Sequence, residues 1–180
     1  MIPKSMIKVE DRLAEMFSYL PLMKGTSGGF FKPTFVYGDQ KQLLDFLRQN
    51  SKGASKYPII WLLYPFSETH TRSAVEFKNM ELVLAVETNS IMLNDQRMKE
   101  TYDKVLIPLF NNIKKCFNQA NITNVPDKYE VTKYPNYSEA EEGKENETTY
   151  VWDALKMTFA GTINSNCLNP IYLTSINPLI

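Results

Sequence analysis

Two stretches of the chain carry apolar residues at three- and four-residue steps, which is the spacing of an amphipathic helix. In residues 6–20 the stripe consists of Ile7, Leu13, Phe17 and Leu20, and Pro21 ends it. Residues 94–120 form the clearest helical pattern in the sequence. Its apolar positions are Met98, Tyr102, Val105, Leu106, Leu109, Phe110, Ile113 and Phe117.

One proline and one capping residue add detail to the predicted helices. Pro108 lies inside the long helix and predicts a bend, because proline removes one backbone hydrogen bond and crowds the preceding turn. A third, shorter helix is predicted through Leu43 and Leu47, with Asp39 as its N-terminal cap.

Strand patterns fill most of the remaining core. Residues 57–65 are apolar on both faces, which predicts a central strand covered on each side, with Pro58 at its start. Residues 75–88 alternate, and a register change near Lys78 and Asn79 predicts a β-bulge. Residues 35–37 predict a short strand, and residues 129–134 and 151–163 predict an antiparallel hairpin.

The order of these elements predicts an α+β fold: a mixed, mostly antiparallel sheet with helices packed on one face. We expect a single domain over residues 1–180. Residues 1–30 would be an N-terminal helix and linker, residues 31–163 the α+β core, and residues 164–180 a C-terminal docking tail. Residues 136–149, rich in glutamate, would form the acidic tip of the hairpin. The tail is apolar but irregular, which favours docking against another surface.

Composition narrows the classes of function. Hydrophobic residues make up 43% of the chain and charged residues 22%, as in ordinary globular domains. Twenty basic and twenty acidic side chains leave a formal net charge of zero, which argues against direct, tight binding of nucleic acid. No stretch approaches about 18 uninterrupted apolar residues, so we expect no membrane span. Two cysteines and no signal-peptide pattern indicate synthesis in a reducing cytoplasm.

Candidates for catalytic chemistry are few. His70 is the only histidine, and it lies in a polar stretch typical of solvated surface. Cys116 has apolar neighbours at helical spacing, so we expect a buried thiol. Glu81 and Glu87 leave open a magnesium-dependent nuclease, since such enzymes hold the ion with carboxylates on adjacent strands. The competing interpretation is a charged sheet edge, and we expect no catalytic residue, cofactor or metal.

Four phrases of the sequence occur in a suggestive order: FVYGD at 35–39, KYPIIWLL at 56–63, ELVLAVETN at 81–89 and MKETYDKVLIPLF at 98–110. Together they resemble the tail-terminator and tail-completion proteins of tailed bacteriophages. Related connector-ring proteins occur in short-tailed phages, including the crAss-like phages of gut Bacteroidetes. The likeness spans about residues 30–163, and it implies that the chain is made in the cytoplasm of a bacterial host. The N-terminal helix and the apolar tail depart from the family pattern and leave the tier of the ring open.

The resemblance implies a tail-terminator-like fold and a structural, non-enzymatic virion subunit. Copies would close into a ring in the head–tail connector or at the tail terminus, and DNA would pass through the lumen without specific binding. The implied partners are other copies of the chain and portal, adaptor or other tail and connector proteins.

A ring built head to tail needs two different complementary patches on each subunit, and we assign these to the acidic tip and the apolar tail. The candidate interface residues are Glu139, Glu141, Glu142, Glu145, Leu168, Ile171, Tyr172, Leu173, Ile176 and Leu179. A generic interaction module that binds a partner through the tail remains the other alternative, beside the nuclease.

Overall fold

The computed structural model describes residues 8–24, 29–49, 57–71, 74–89, 91–119, 123–124, 129–135, 137 and 151–164. The helices within these ranges are α1 (Val9–Phe17), α2 (Gln40–Gln49) and a long helix made of α3 (Asn94–Arg97), a π-helical segment (Met98–Leu106) and α4 (Ile107–Gln119). The strands are β1 (Met23–Lys24), β2 (Phe30–Phe31), β3 (Thr34–Gly38), β4 (Ile59–Leu63), β5 (Ser67–His70), β6 (Ala74–Thr88), β7 (Thr123–Asn124), β8 (Glu130–Tyr134) and β9 (Val151–Asn164).

Seven of these strands form one sheet. Its main path has the order β3-β4-β6-β9-β7, with β5 paired to β6 and β8 paired to β9. β3 runs parallel to β4, and the other pairs of this sheet are antiparallel. The predicted α+β class, with a mixed and mostly antiparallel sheet, is therefore confirmed. β1 and β2 form a separate antiparallel pair.

The longest pairing in the sheet joins β6 to β9, from Ala74 opposite Asn164 to Thr88 opposite Val151. Its register shifts between Phe77 and Met80, and Asn79 has a φ of 53°. This irregularity is the predicted β-bulge. Because of it, the buried side chains on one face of the sheet occupy odd positions before the bulge and even positions after it.

The sheet carries a hydrophobic core on each face. The larger core packs α1 and the long helix against one face, which includes Ile60 and Leu62 of β4. The smaller core packs α2 against the other face, which includes Ile59, Trp61 and Leu63. All five residues of β4 are buried, so the predicted central strand covered on both sides is confirmed.

The long helix buries the positions that its spacing predicted, and Met98 and Phe110 are partly buried against the same core. Its irregularity takes the form of a π-helical segment that ends two residues before Pro108. At the end of this segment the Ile107 N–H bonds to the Tyr102 carbonyl, five residues earlier. The i+5 bonding thus shifts the hydrogen-bond ladder immediately before the residue that cannot donate.

Some strands carry no sequence signal. Ser67–His70 is polar and was expected to be a loop, but it forms β5, because the β6 backbone offers it a hydrogen-bonding edge. The two-residue strands β1, β2 and β7 are also held by their partners rather than by their own pattern. The hairpin of β8 and β9 is confirmed, whereas most of its acidic tip and the tail lie outside the described residues.

Among the residues that the structure describes, no helix is long and apolar enough to cross a membrane.

The bulge yields a stability prediction. Asn79→Val places a β-branched residue at positive φ and should lower the free energy of unfolding by about 1–2 kcal/mol, whereas Asn79→Gly should lower it by less than about 1 kcal/mol. Urea denaturation measures both, and Lys78→Val, at the exposed neighbouring position, is the control. Equal losses for the valine and glycine variants would contradict the strain at this position.

Candidate functional site

The residues predicted to form subunit contacts lie outside the described part of the chain. They are Glu139, Glu141, Glu142 and Glu145, which precede β9 in the sequence, and Leu168, Ile171, Tyr172, Leu173, Ile176 and Leu179, which follow it. Their assignment to an interface stays a prediction. The described residues nevertheless contain three other surfaces, two strand edges and one apolar loop, that could contact another protein.

The two carboxylates of the nuclease alternative are far apart. Glu81 and Glu87 lie on one face of β6, six residues apart, which is about 20 Å at about 3.3 Å per residue. Oxygen ligands lie about 2.1 Å from a magnesium ion, so one ion cannot bind both side chains. Lys156 instead donates from Nζ to Glu81 Oε1 over 3.0 Å, across the β6–β9 pair. The described residues contain no group of three or more histidine, cysteine, aspartate or glutamate side chains placed to hold a metal ion.

The other two reactive side chains have ordinary structural settings. His70 is exposed at the end of β5, with Nε2 lying 2.9 Å from Glu68 Oε2. Cys116 is fully buried in α4, and burial raises the pKa of its thiol to about 12. Because the thiolate is the nucleophilic form, this cysteine is poorly suited to covalent catalysis at neutral pH. The predicted exposure of the histidine and burial of the cysteine are both confirmed.

The first surface is the outer edge of β3, which we call the β3 edge (Thr34–Gly38). No strand of the described residues pairs with it. Natural proteins usually protect such an edge with a charged residue, a proline or a bulge. This strand has none of them, and Tyr37 is 52% exposed. Among the described residues, nothing therefore prevents the β3 edge from pairing with another strand.

The hydrogen bonds on the inner side of β3 show which backbone groups face outward. Toward β4, the Thr34 N–H donates to the Pro58 carbonyl over 3.0 Å, and the Gly38 carbonyl accepts from the Tyr64 N–H over 2.9 Å. The backbone groups of a strand alternate between its two neighbours. The N–H and C=O groups of Phe35 and Tyr37 therefore point away from the sheet, where an incoming strand could bind them.

A groove of about 490 Å³ runs beside the β3 edge. Its lining is mostly apolar and consists of Phe35, Val36, Tyr37, Gln42, Asp45, Phe46 and Trp61. A row of aromatic rings continues from it along the sheet: Tyr37 contacts Phe35 at 6.4 Å and Tyr64 at 6.0 Å between ring centroids. The β3 edge thus combines backbone groups that could pair with another strand and apolar side chains on both faces of the sheet.

The junction between β3 and α2 holds this edge in place. Asp39 caps α2: its Oδ1 accepts from the Gln42 N–H at 2.8 Å, and Gln42 Oε1 accepts from the Asp39 N–H at 3.0 Å. Trp61 donates from Nε1 to the Gly38 carbonyl at 3.1 Å. Gly38 has a φ of 156°, a backbone conformation that L side chains rarely adopt, so this junction favours glycine. The predicted capping role of Asp39 is confirmed.

The second surface is the outer edge of β8, the β8 edge (Glu130–Tyr134), on the opposite side of the sheet. Four of its five residues are exposed, and Val131 is 40% exposed. Val131 lies opposite Met157 and Lys133 opposite Leu155, both of which belong to the larger core. Lys133 Nζ lies 5.6 Å from the centre of the Tyr102 ring on that face. Within the described ranges, β9 is the sole strand partner of β8.

The third surface is the loop between β6 and α3, which a buried arginine holds. Arg97 Nη1 donates to Asp153 Oδ1 and to Thr88 Oγ1, each over 2.8 Å. Its Nη2 donates to the Asn89 carbonyl over 2.7 Å, and its Nε donates to the Met92 carbonyl over 3.0 Å. Arg97 is 1% exposed and Asp153 is fully buried. One guanidinium thus joins the loop to β6, β9 and the start of the long helix.

This clamped loop, described at Asn89 and at residues 91–93, presents apolar side chains to solvent. Ile91 is 81% exposed and Leu93 is 65% exposed. A buried ion pair contributes little net stability compared with apolar packing, but it can impose one conformation on its surroundings. The loop therefore has the character of a contact surface: a fixed backbone with two exposed aliphatic residues.

Sequence reasoning missed this clamp, although one signal for it exists. Asp153 shares its parity along β9 with Leu155, Met157 and Phe159, which face the larger core. A charge on the buried side of a strand requires a buried partner. The partner itself, Arg97, could not be identified, because 55 residues separate the two in sequence.

The three surfaces offer backbone hydrogen bonds and apolar contacts, which are the means by which proteins bind other proteins. No family model matches the chain, and no curated protein matches it.

The buried ion pair yields a second prediction. Asp153→Ala leaves the Arg97 guanidinium without its carboxylate and should lower the free energy of unfolding by about 3–5 kcal/mol. The double variant Arg97→Met with Asp153→Leu removes both charges and should recover most of that loss. Urea denaturation followed by tryptophan fluorescence measures both.

The exposed pair of Glu100 and Lys104 provides the control for this experiment. Glu100→Ala removes an ion pair of the same type in solvent and should change the free energy of unfolding by less than about 1 kcal/mol. If Asp153→Ala were no more destabilising than Glu100→Ala, the clamp would have no structural role.

The buried thiol yields a third prediction. With Cys167 replaced by serine, Cys116 is the remaining cysteine, and the folded protein should react with iodoacetamide at pH 8 at least about a hundredfold more slowly than the unfolded protein. Mass spectrometry of the alkylated chain, with and without urea, measures this ratio. Equal rates in the two states would show that the thiol is accessible.

Proposed function

We propose that this protein is a structural virion subunit that forms an oligomeric ring in the head–tail connector or at the tail terminus of a tailed bacteriophage. DNA passes through the lumen of the ring without specific binding. The ring contacts portal, adaptor or other tail and connector proteins.

The phrases that carry the resemblance to tail-terminator proteins form the centre of the fold. FVYGD supplies β3 and the cap of α2, and KYPIIWLL leads into β4. ELVLAVETN forms the second half of β6, and MKETYDKVLIPLF forms the π-helical segment and the start of α4. The likeness therefore lies in the residues that build the sheet and its main helix, which supports a similar architecture.

The observation that carries the proposal is a pair of edges, on opposite sides of one sheet, that no strand of the described residues covers. A head-to-tail ring requires two different patches that complement each other, since each copy contacts one neighbour through each patch. The β3 edge and the β8 edge differ in sequence. β3 is one end of the strand order, and β8 pairs with β9 near the other end, as β7 does. A chain with two such edges can add copies in one direction, which a monomeric function does not require.

The charge of the chain is compatible with a lumen through which DNA moves. A strongly basic lining would hold the polymer through phosphate contacts and counterion release. The formal net charge of zero supplies no such excess.

The clamped loop supports contacts with a neighbouring tier. Ile91 and Leu93 follow the end of β6 and belong to neither of the two edges that would join copies within a ring. An exposed apolar loop of fixed shape suits a protein partner stacked on the ring. The predicted docking tail would add to such contacts.

The structure bears differently on the two alternative functions, a nuclease and a generic interaction module. The separation of Glu81 and Glu87 along β6 argues against a magnesium nuclease built on these residues. A generic interaction module is consistent with the clamped loop, but it leaves the two open edges without a role.

The proposal predicts self-association. Light scattering of the purified protein, alone and with the portal protein of the same phage, should show a species several times the 20.8 kDa mass of one chain. A 20.8 kDa monomer that does not associate even with the portal protein, at the highest soluble concentration, would contradict the ring.

A further inference from the structure

We infer that neighbouring copies join by an antiparallel strand pair between the β3 edge of one copy and the β8 edge of the next, with Tyr37 opposite Val131. The inference rests on the proposed function, because it names the contact that closes the proposed ring. It would extend one sheet through all copies.

The strand directions permit this pairing. β3 is parallel to β4, and β4 is antiparallel to β6. β9 is antiparallel to β6, and β8 is antiparallel to β9, so β8 runs in the direction of β6 and opposite to β3. Two copies placed side by side in the same orientation therefore bring the β8 edge of one antiparallel to the β3 edge of the other.

The two edges also match in length and in backbone groups. Each strand has five residues. The outward N–H and C=O groups of Phe35 and Tyr37 can bond to a neighbouring strand, as in recognition by strand addition. Full overlap of the two strands aligns residues 34–38 with residues 134–130.

This register keeps the two faces of the sheet continuous. It places Tyr37 opposite Val131 and Phe35 opposite Lys133. Phe35 packs against the larger core and contacts Phe17 at 5.2 Å between ring centroids, and Tyr37 shares its face. Val131 and Lys133 project from the same face, over the larger core of their own copy.

The side chains opposite each other are complementary. Tyr37 and Val131 are the exposed large hydrophobic residues of their edges, and an aromatic residue opposite a β-branched one is a favourable cross-strand pair. Lys133 would meet the Phe35 ring, as a cation over an aromatic face. Glu130 would lie opposite Gly38, which has no side chain. β3 has no charged residue, so no like charges face each other.

A symmetric pair of two β3 edges is the competing arrangement. It would bury Tyr37 in the same way but would leave the β8 edge of each copy open and would stop at two copies. The β3–β8 pair covers both edges and can repeat around a ring.

A disulfide test separates these arrangements. The variant Tyr37→Cys with Val131→Cys, in a chain with Cys167→Ser, places two thiols at opposite positions of the inferred pair. Opposite residues in antiparallel strands have Cα atoms about 4.5–5.5 Å apart, which lies within the range that a disulfide spans. Mild oxidation should produce a ladder of covalent multiples of the chain on a non-reducing gel, whereas buried Cys116 stays unmodified.

Matched controls use the same chain. Tyr37→Cys alone and Val131→Cys alone should give no ladder, because each lacks its partner. Tyr19→Cys with Val131→Cys should also give none, since Tyr19 is 39% exposed but lies outside the β3 edge.

Light scattering of the same samples before oxidation separates the two hypotheses. A ladder of three or more copies supports the inference. Oligomers in solution that give no ladder would contradict the β3–β8 contact but not the ring. The same conclusion follows if such oligomers give only dimers that Tyr37→Cys alone also gives. Monomers without a ladder, also in the presence of the portal protein, would overturn both.

Discussion

The antiparallel pairing of β6 with β9 is the constraint on which the rest of the structure depends. The two strands align over most of their length, and every other strand of the large sheet attaches to them directly or through β4. Side chains on the two faces of this pair belong to the two different hydrophobic cores. A shift of one residue would therefore move the side chains of one strand from each core to the other. The bulge at Asn79 is the one place where this register changes along the described part of the ladder.

The Arg97–Asp153 pair secures the end of the same ladder. Asp153 comes from β9, Thr88 from β6, and the two bonded carbonyls from the loop that leads to the long helix. Removing two charges from water has a large free-energy cost, and such pairs persist where a defined arrangement matters. Here the arrangement sets where the long helix starts and how Ile91 and Leu93 are presented. Stability of the core and the shape of a contact surface thus depend on one interaction.

The organisation of the sheet separates two kinds of contact in the proposed ring. The β3 and β8 edges lie at the sides of the sheet, where strand addition would join copies. The clamped loop directly follows β6, at the end where Thr88 pairs with Val151, the first residue of β9. Contacts between tiers at that end would not compete with contacts within a tier. This division is what a stacked assembly of rings requires.

Much of this fold can be predicted from local pattern, because the period of apolar residues reports the face that each element buries. The long helix, the doubly covered strand β4, the bulge, the β8–β9 hairpin and the burial of Cys116 all follow from that period. The strand order, the polar strand β5, the partner of Asp153 and the exposure of the β3 edge do not. They depend on contacts between residues far apart in the sequence, and a strand's own residues do not specify its neighbour or whether it has one. Pattern therefore sets the elements and their buried faces, whereas the packed sheet alone decides which edges have no strand partner among the described residues.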